Sequence, residues 1–407
     1  MKIMVKILVV SERLWPEGGG AELATNLVLD MLRRIFDVKV VTGTVNPEKL
    51  PGVEYTYEPL LSERVKALLW LNLMRLARSD EFRRLVEWSD VVYVPRLSFP
   101  VIPLAEKLGK KIVVHLHDYI PVSYTATILA PFGEHRYRIV RDDLMLIRIK
   151  GFKYCVISAF LLWTPRIARK WIAKADTIIC VSKRQAHIIS DLAPELKENI
   201  KIIHNLVPPN LLQAEPCKKL DENPILLYAG GDSYTKGFHV LLETLKILGK
   251  KKQAKFKIIL TNRYGQKSLK ALSELKRRSN LNIEVRGKIK YDQLLKLHSK
   301  AWALLFPSIW EEPLPYAVVE SMLLGTPPIA SRAGGVHEIL KGSIAEEFLI
   351  EPMSVKDLVK RITSILAAPR EKIEKMSPKL KEHIIKVLEL EKIRKEFTDL
   401  FSSLAQT

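Results

Sequence analysis

The sequence predicts an α/β protein made of two doubly wound parallel-sheet domains. Three observations carry that prediction. The chain has 407 residues, which is long for one hydrophobic core. Short apolar runs alternate with helical periodicity through both halves, as strands buried on both faces of a parallel sheet do. The pair Pro208-Pro209 interrupts the alternation near the middle, where a linker belongs. The expected division is therefore 1–207 and 208–385, with a C-terminal helix over 386–407 crossing back to the first domain.

In the first half, residues 5–10 form a continuous apolar run. Lys6 interrupts the opening MKIMVKILVV and no small-residue cleavage site follows, so the segment reads as a first strand and not as a signal peptide. A loop ending in Gly18, Gly19, Gly20, Ala21 and Glu22 leads into a helical pattern through Leu23, Leu27, Val28 and Met31. Glycines between a strand and a helix let the backbone approach a ligand and aim free N–H groups at it, which suits a phosphate. A plain flexible hinge has the same composition, and the run is not a G-x-G-x-x-G fingerprint. Further strands are expected at 38–42, 90–95, 111–116, 177–182 and 201–205. The run KIVVHLHDY sets His115 and His117 on one side of the strand end at 111–116, followed by Asp118. A strand end of this kind is a ligand edge, although packed histidines would look the same.

The second half restarts the alternation, with strands expected at 225–229, 256–261, 282–286, 301–306, 328–331 and 348–350. YAGGDSYTKGF repeats strand, glycine loop and helix, and places Lys236 where its ammonium could meet phosphate or simply face water. After the apolar run AWALLF comes PSIWEEPLPYAVVESMLLG, in which Glu312 and Glu320 are separated by seven residues. Glu312 falls on the loop after a strand, and Glu320 one to two turns into the next helix. Pro315 suits that helix's first turn and Gly325 its end. The same two glutamates would also fit a solvated loop and an ordinary helix surface.

The chain carries 65 Lys and Arg against 45 Asp and Glu, a formal charge of +20, so an anionic partner is expected. Two regions of the first half are both apolar and basic. Residues 63–85 mix Leu68, Leu71 and Trp70 with Arg64, Arg75 and Arg78, and residues 137–174 mix Phe152, Tyr154, Phe160, Leu161 and Trp163 with Arg141, Arg148, Lys150 and Lys153. Such helices lie on anionic membrane surfaces, and core-facing helices with basic outer faces share the pattern. Nucleic acid is disfavoured because no binding motif accompanies the charge. The three cysteines, Cys155, Cys180 and Cys217, form no C-x-x-C pair, so a reducing, cytoplasmic setting is expected, without disulfide framework or zinc. The longest uncharged apolar stretch, 154–165, is shorter than the roughly 20 residues a bilayer requires.

Taken together, PS-x-x-E-E-P with its E-x7-E spacing, GTPPIAS, AGGVHEI, TKGF, RGKI, GGGAE and HLHDY resemble the retaining nucleotide-sugar glycosyltransferases of family 4, the glycogen-synthase-like group. The resemblance is dense over 226–340 and scattered but ordered before it. It implies the GT-B fold, two Rossmann-like domains facing across a cleft. It also implies roles: Glu312 for the donor sugar hydroxyls, Glu320 for the ribose, and Lys236 for the diphosphate. Gly19 and Gly20 would offer amides to that diphosphate, His117 would stand near the donor sugar, and the main chain at Lys288 and Ile289 would face the base. The turn Leu314-Pro315-Tyr316 would contact the donor.

Two departures from the family pattern stand out. Gly231 and Asp232 occupy the place of a second phosphate-binding arginine, leaving Lys236 alone or assisted by Arg263 or Arg332. Pro315 replaces a glycine and so lacks one backbone donor. No metal or other cofactor is expected, since lysine, arginine and helix ends do that work in this fold. The leading expectation is sugar transfer from a nucleotide-diphosphate donor to a lipid-linked or glycan acceptor at the cytoplasmic membrane face. The alternatives are a sugar-nucleotide epimerase or hydrolase of the same fold, and a non-catalytic basic membrane-binding protein.

Overall fold

The computed structural model describes residues 5–131, 136–150, 162–215, 220–250 and 256–405. Phe152, Lys153, Tyr154, Phe160, Leu161, Cys155 and Cys217 lie outside the described residues, as does the side chain of Lys150. The chain divides into two compact units.

The first unit comprises Met1–Ile128, Glu134–Val207 and Leu390–Thr407. Its seven strands are β1 (Lys6–Ser11), β2 (Asp37–Thr42), β3 (Glu54–Tyr57), β4 (Val91–Val94), β5 (Lys111–Leu116), β6 (Thr177–Cys180) and β7 (Ile200–Ile202). They pair in parallel in the order β3-β2-β1-β4-β5-β6-β7. The central strands carry Val, Ile and Leu on both faces, and Ile7 to Val10 and Val91 to Val94 have no exposure at all. The sequence reading lacks β3: its residues EYTY make an edge strand half open to solvent, so no apolar run marks it.

The helix Leu390–Leu404 belongs to this first unit and closes one face of the sheet. Phe397 and Phe401 are fully buried, Phe401 standing edge-on to Tyr93 at 5.5 Å and Phe397 lying 5.8 Å from the His115 ring. Glu389, in the left-handed conformation, separates this helix from the preceding one, Arg370–Leu388. The change of unit therefore falls at 389/390 and not at 385/386, because the packing of Leu380, Ile384 and Leu388 continues to the end of that preceding helix.

The second unit comprises Pro208–Glu389 together with Leu129–Gly133. That short segment is absent from a division of the chain into consecutive stretches. It joins this unit because Leu129 bridges Trp310 and the Ala130 N–H donates to the Ile309 carbonyl at 2.8 Å. The six strands are β8 (Ile225–Tyr228), β9 (Lys257–Thr261), β10 (Asn282–Gly287), β11 (Ala303–Phe306), β12 (Pro328–Ser331) and β13 (Leu349–Ile350). They are again parallel, in the order β10-β9-β8-β11-β12-β13. Strand order reverses between β8 and β11, and open α/β sheets bind ligands at the carboxyl ends of the strands flanking such a point. The loop after β8 holds Lys236 and the loop after β11 holds Glu312, so the topology makes them neighbours.

Candidate active site

The second unit assembles its polar cluster through glycines that let loops touch. Gly237 has φ +74°, and a Cβ there would lie 1.8 Å from the Pro307 carbonyl oxygen. The Ile309 N–H and the Ser308 hydroxyl both donate to the Thr235 carbonyl, at 2.9 and 3.1 Å. With the two loops fastened in this way, Lys236 Nζ reaches Glu312 Oε2 at 2.5 Å. The ammonium also lies over the Trp310 ring at 4.9 Å and the Phe306 ring at 5.6 Å, so aromatic faces flank the ion pair. Both charged side chains are mostly shielded from water, at 27% and 16% exposure.

The turn Ala333-Gly334-Gly335 cradles the backbone of Glu312 from the other side. The Gly335 N–H donates to the Glu312 carbonyl at 2.9 Å, and the Gly334 N–H to Glu311 Oε2 at 2.7 Å. A Cβ on Gly334, whose φ is +57°, would fall 1.9 Å from the Glu312 carbonyl oxygen. Pro315 is the residue capping the helix Tyr316–Leu323, one place before its first turn. Leu314 is buried, with Cδ1 against Gly335, so only its main chain could contact a ligand, whereas Tyr316 is half-buried.

Glu320 sits inside that helix and is 3% exposed. Burial raises its carboxyl, and a 2.6 Å hydrogen bond from the Tyr291 hydroxyl to Oε1 pulls the other way, leaving it at about 7. Tyr291 begins the helix Tyr291–Lys300, separated by Lys290 from the exposed Lys288 and half-buried Ile289. At the place of the second phosphate-binding arginine, Asp232 accepts hydrogen bonds from the Gly265 N–H at 2.7 Å and the Ser268 hydroxyl at 2.9 Å. It thereby caps the helix Gln266–Arg278. Arg332 pairs with Glu351 at 3.3 Å on the surface, and Arg263 is exposed.

In the first unit, the glycine turn after β1 is built around Glu22. The Gly19 N–H donates to Glu22 Oε2 at 2.8 Å, so this amide already has an acceptor, and Gly20 opens the helix Gly20–Leu32. Gly18 has φ +122°, a conformation that favours glycine, and a Cβ there would lie 2.2 Å from the Glu22 carboxyl carbon. Arg96, just past β4, donates to Glu22 Oε1 at 2.6 Å and to Glu12 Oε1 at 2.8 Å. Burial opposes the Arg96 charge, but Glu12 and Glu22 outweigh it and keep the guanidinium charged. Sequence reasoning missed Arg96, Glu12 and Tyr291, and named Glu22 only as part of GGGAE. The one available signal for Arg96 was its place after a strand, in VVYVPR.

His115 and His117 do share a side, with rings 4.2 Å apart. His115 is fully buried, its Nδ1 is 2.7 Å from the Tyr93 hydroxyl, and burial lowers it to about 3. His117 is likewise lowered, first by burial and then by His115 and Arg96, so it is neutral at neutral pH. Its buried Nε2 has no hydrogen-bond partner among the described residues. No group of three or more His, Cys, Asp or Glu suited to a metal ion occurs among the described residues.

Comparison with known proteins supplies the family. Residues 17–211 match the model of Glycosyltransferase Family 4, and residues 213–383 match that of Glycosyl transferases group 1. The chain is 28% identical over 154 residues to lipopolysaccharide 1,2-N-acetylglucosaminetransferase of Salmonella typhimurium, covering 36% of this chain and 40% of that protein. It is 23% identical over 379 residues to MMP alpha-(1->4)-mannosyltransferase of Mycolicibacterium hassiacum, covering 87% of each. The match thus spans less than half the length of the first relative and most of the second. Among solved structures, sucrose-phosphate synthase of Thermosynechococcus elongatus superposes with a TM-score of 0.70 at 16% identity, covering 98% of this chain and 99% of that one. HepE of Anabaena, in complex with UDP-glucose, gives 0.66 at 18% identity with the same coverage. Consecutive family models over nearly the whole chain, on two Rossmann-like parallel sheets, make this protein a family 4, group 1 glycosyltransferase of the GT-B fold.

Proposed function

We propose that the enzyme is a retaining transferase that takes a sugar from a nucleotide-diphosphate donor, with Glu312, Lys236 and Glu320 holding that donor. The observation that carries this reading is the Lys236–Glu312 ion pair at the β8/β11 switch point, with the buried Glu320 one helix away. Cleaving the donor leaves an anionic diphosphate and an electron-poor anomeric carbon, so a cation at the phosphate and oriented acceptors at the sugar lower the barrier. Donor binding exchanges partners: Lys236 turns to the diphosphate, and the freed Glu312 accepts from sugar hydroxyls. Glu320 accepts from the ribose, the main chain near Lys288 and Ile289 faces the base, and the turn at Leu314, Pro315 and Tyr316 contacts the donor.

Asp232 caps a helix and Arg332 has its own partner, so Lys236 is assigned the diphosphate, alone or assisted by the exposed Arg263. In the first unit, the neutral His117 is assigned to the donor sugar because its Nε2 is a buried polar atom without a hydrogen-bond partner among the described residues. The amides of Gly19 and Gly20 are assigned to the diphosphate, which at Gly19 requires Glu22 to yield its hydrogen bond.

The acceptor is proposed to be lipid-linked, presented at an anionic membrane face. On the helix Lys66–Leu76 and its flanks, Leu68 and Leu71 are about half exposed, at 47% and 50%, on the side that also carries Val65, Arg75 and Arg78. The helix Arg136–Lys150 exposes Val140, Leu144 and Ile149 among Arg141 and Arg148, and Trp163 is exposed as well. Lys66 donates to the Tyr124 carbonyl, and the Tyr124 N–H donates to Asp143 at 2.9 Å, which ties these two helices through one loop. No helix among the described residues is long and apolar enough to cross a membrane. The test is a thermal-shift screen of UDP, GDP and ADP, followed by incubation of the matching sugar nucleotides with and without a membrane lipid extract. Product formed only with lipid, with the donor's anomeric configuration kept, supports the proposal. Rearrangement or hydrolysis of the donor alone overturns it.

A further inference from the structure

Glu320 is held by a contact that the reading above does not use. The Tyr291 hydroxyl donates to Glu320 Oε1 at 2.6 Å, across the two helices that follow β10 and β11. A buried glutamate on a helix has a well-defined stem but a broad, roughly two-fold torsion at its carboxylate. A single short hydrogen bond to one oxygen fixes the plane of that carboxylate, while Oε2 makes no hydrogen bond to the described residues. Tyr291 is suited to this task. Its phenol is pushed far up, by burial first and by Glu320 second, so it stays protonated and donates. Its backbone directly follows Lys288, Ile289 and Lys290, so the same residue that orients Glu320 anchors the segment assigned to the base.

We propose that Tyr291 is the positioning residue that fixes the Glu320 carboxylate against the nucleotide ribose, and so sets how strongly the enzyme distinguishes ribo- from 2′-deoxyribonucleoside diphosphates. A carboxylate held in one plane keeps Oε2 aligned to accept from both hydroxyls of a vicinal diol, and removal of one hydroxyl takes away one of those two hydrogen bonds to a charged, buried oxygen. A carboxylate free to turn finds a compromise with either ligand and discriminates less. The proposal rests on the assignment of Glu320 to the ribose.

The test is calorimetric titration of the full-length chain. Whichever of UDP, GDP and ADP binds best is compared with its 2′-deoxy counterpart, in the wild type, Tyr291→Phe and Glu320→Gln, with melting temperature recorded for each. The wild type is expected to favour the ribo form about tenfold or more, as for a hydrogen bond to a charged group. Tyr291→Phe is expected to weaken the ribo form about fivefold to tenfold and to leave the deoxy form within about twofold, so that the ratio collapses. A Tyr291→Phe chain that keeps the wild-type ratio, or weakens both forms equally, overturns the positioning role. If Glu320→Gln removes the ratio in that case, the ribose assignment survives and only the role of Tyr291 is lost. If Glu320→Gln also keeps the ratio, the ribose assignment itself is wrong.

Discussion

At the residue scale, the proposed donor site starts from a pair of charges held together by the fold. Glu312 and Lys236 meet at 2.5 Å because Gly237 and Gly334 allow backbone contacts that any Cβ would block. Glu312→Gln keeps the shape but removes the charge facing the developing cation, and kcat should fall by about 100- to 1,000-fold with the melting temperature little changed. A fall below tenfold in a steady-state transfer assay would show that Glu312 does not stabilise the transition state. Glu320 yields a signed pH prediction. Its folded value of about 7 lies above the ordinary 4.5, so the stability tied to its proton is present below pH 4.5 and lost as pH rises through 7. Glu320→Gln should therefore gain on the wild type by about 3 kcal/mol at pH 8 and by almost nothing at pH 4, in denaturant titrations at the two pH values. The placement of Glu312 on the loop after a strand and of Glu320 inside the next helix was legible from the local pattern. Tyr291 and Arg96 were not, because each acts on a partner 29 and 74 residues away, and local pattern carries no record of such pairs.

At the scale of elements, apolar runs marked the inner strands, whereas β3 stayed hidden because an edge strand needs no continuous hydrophobic face. The segment Leu129–Gly133 also could not be read, since its attachment to Trp310 is one backbone bridge without side-chain pattern. Asp232 was visible as a departure from the family, but only the structure gives it a task, capping the helix Gln266–Arg278. The helix Lys66–Leu76 was readable as basic and apolar, yet which residues face outward depended on its packing: Leu69, Trp70, Leu73 and Leu76 are inside. Leu68→Asp combined with Leu71→Asp places two charges on the exposed face without touching that core. It should lower sedimentation with anionic vesicles at low salt by about tenfold or more while leaving nucleotide binding unchanged. Equal sedimentation of variant and wild type would remove this helix from the membrane surface.

At the scale of the whole molecule, the chain ends by returning to the unit in which it began. The helix Leu390–Leu404 buries Ile393, Phe397, Leu400 and Phe401 over the first sheet. At roughly 1.5 to 3 kcal/mol for each side chain, their loss is comparable to the whole stability of a domain. A chain ending at Glu389 should therefore lose the cooperative unfolding of the first unit, seen by circular dichroism, while the second unit keeps its own transition. A truncated chain that melts like the wild type would show that the helix only decorates the surface. The two-domain α/β organisation was legible because length, alternation and the Pro208-Pro209 pair agree; the composite makeup of each unit was not, because it arises from contacts between distant parts of the chain.

The central claim is that the second unit holds a nucleoside diphosphate through Lys236. Its most direct test is calorimetric titration of UDP, GDP and ADP into the wild type and Lys236→Ala. Saturable one-to-one binding of at least one of the three is expected, weakened about tenfold or more by removal of the ammonium. Binding of none of them, or equal affinity in both chains, would contradict it.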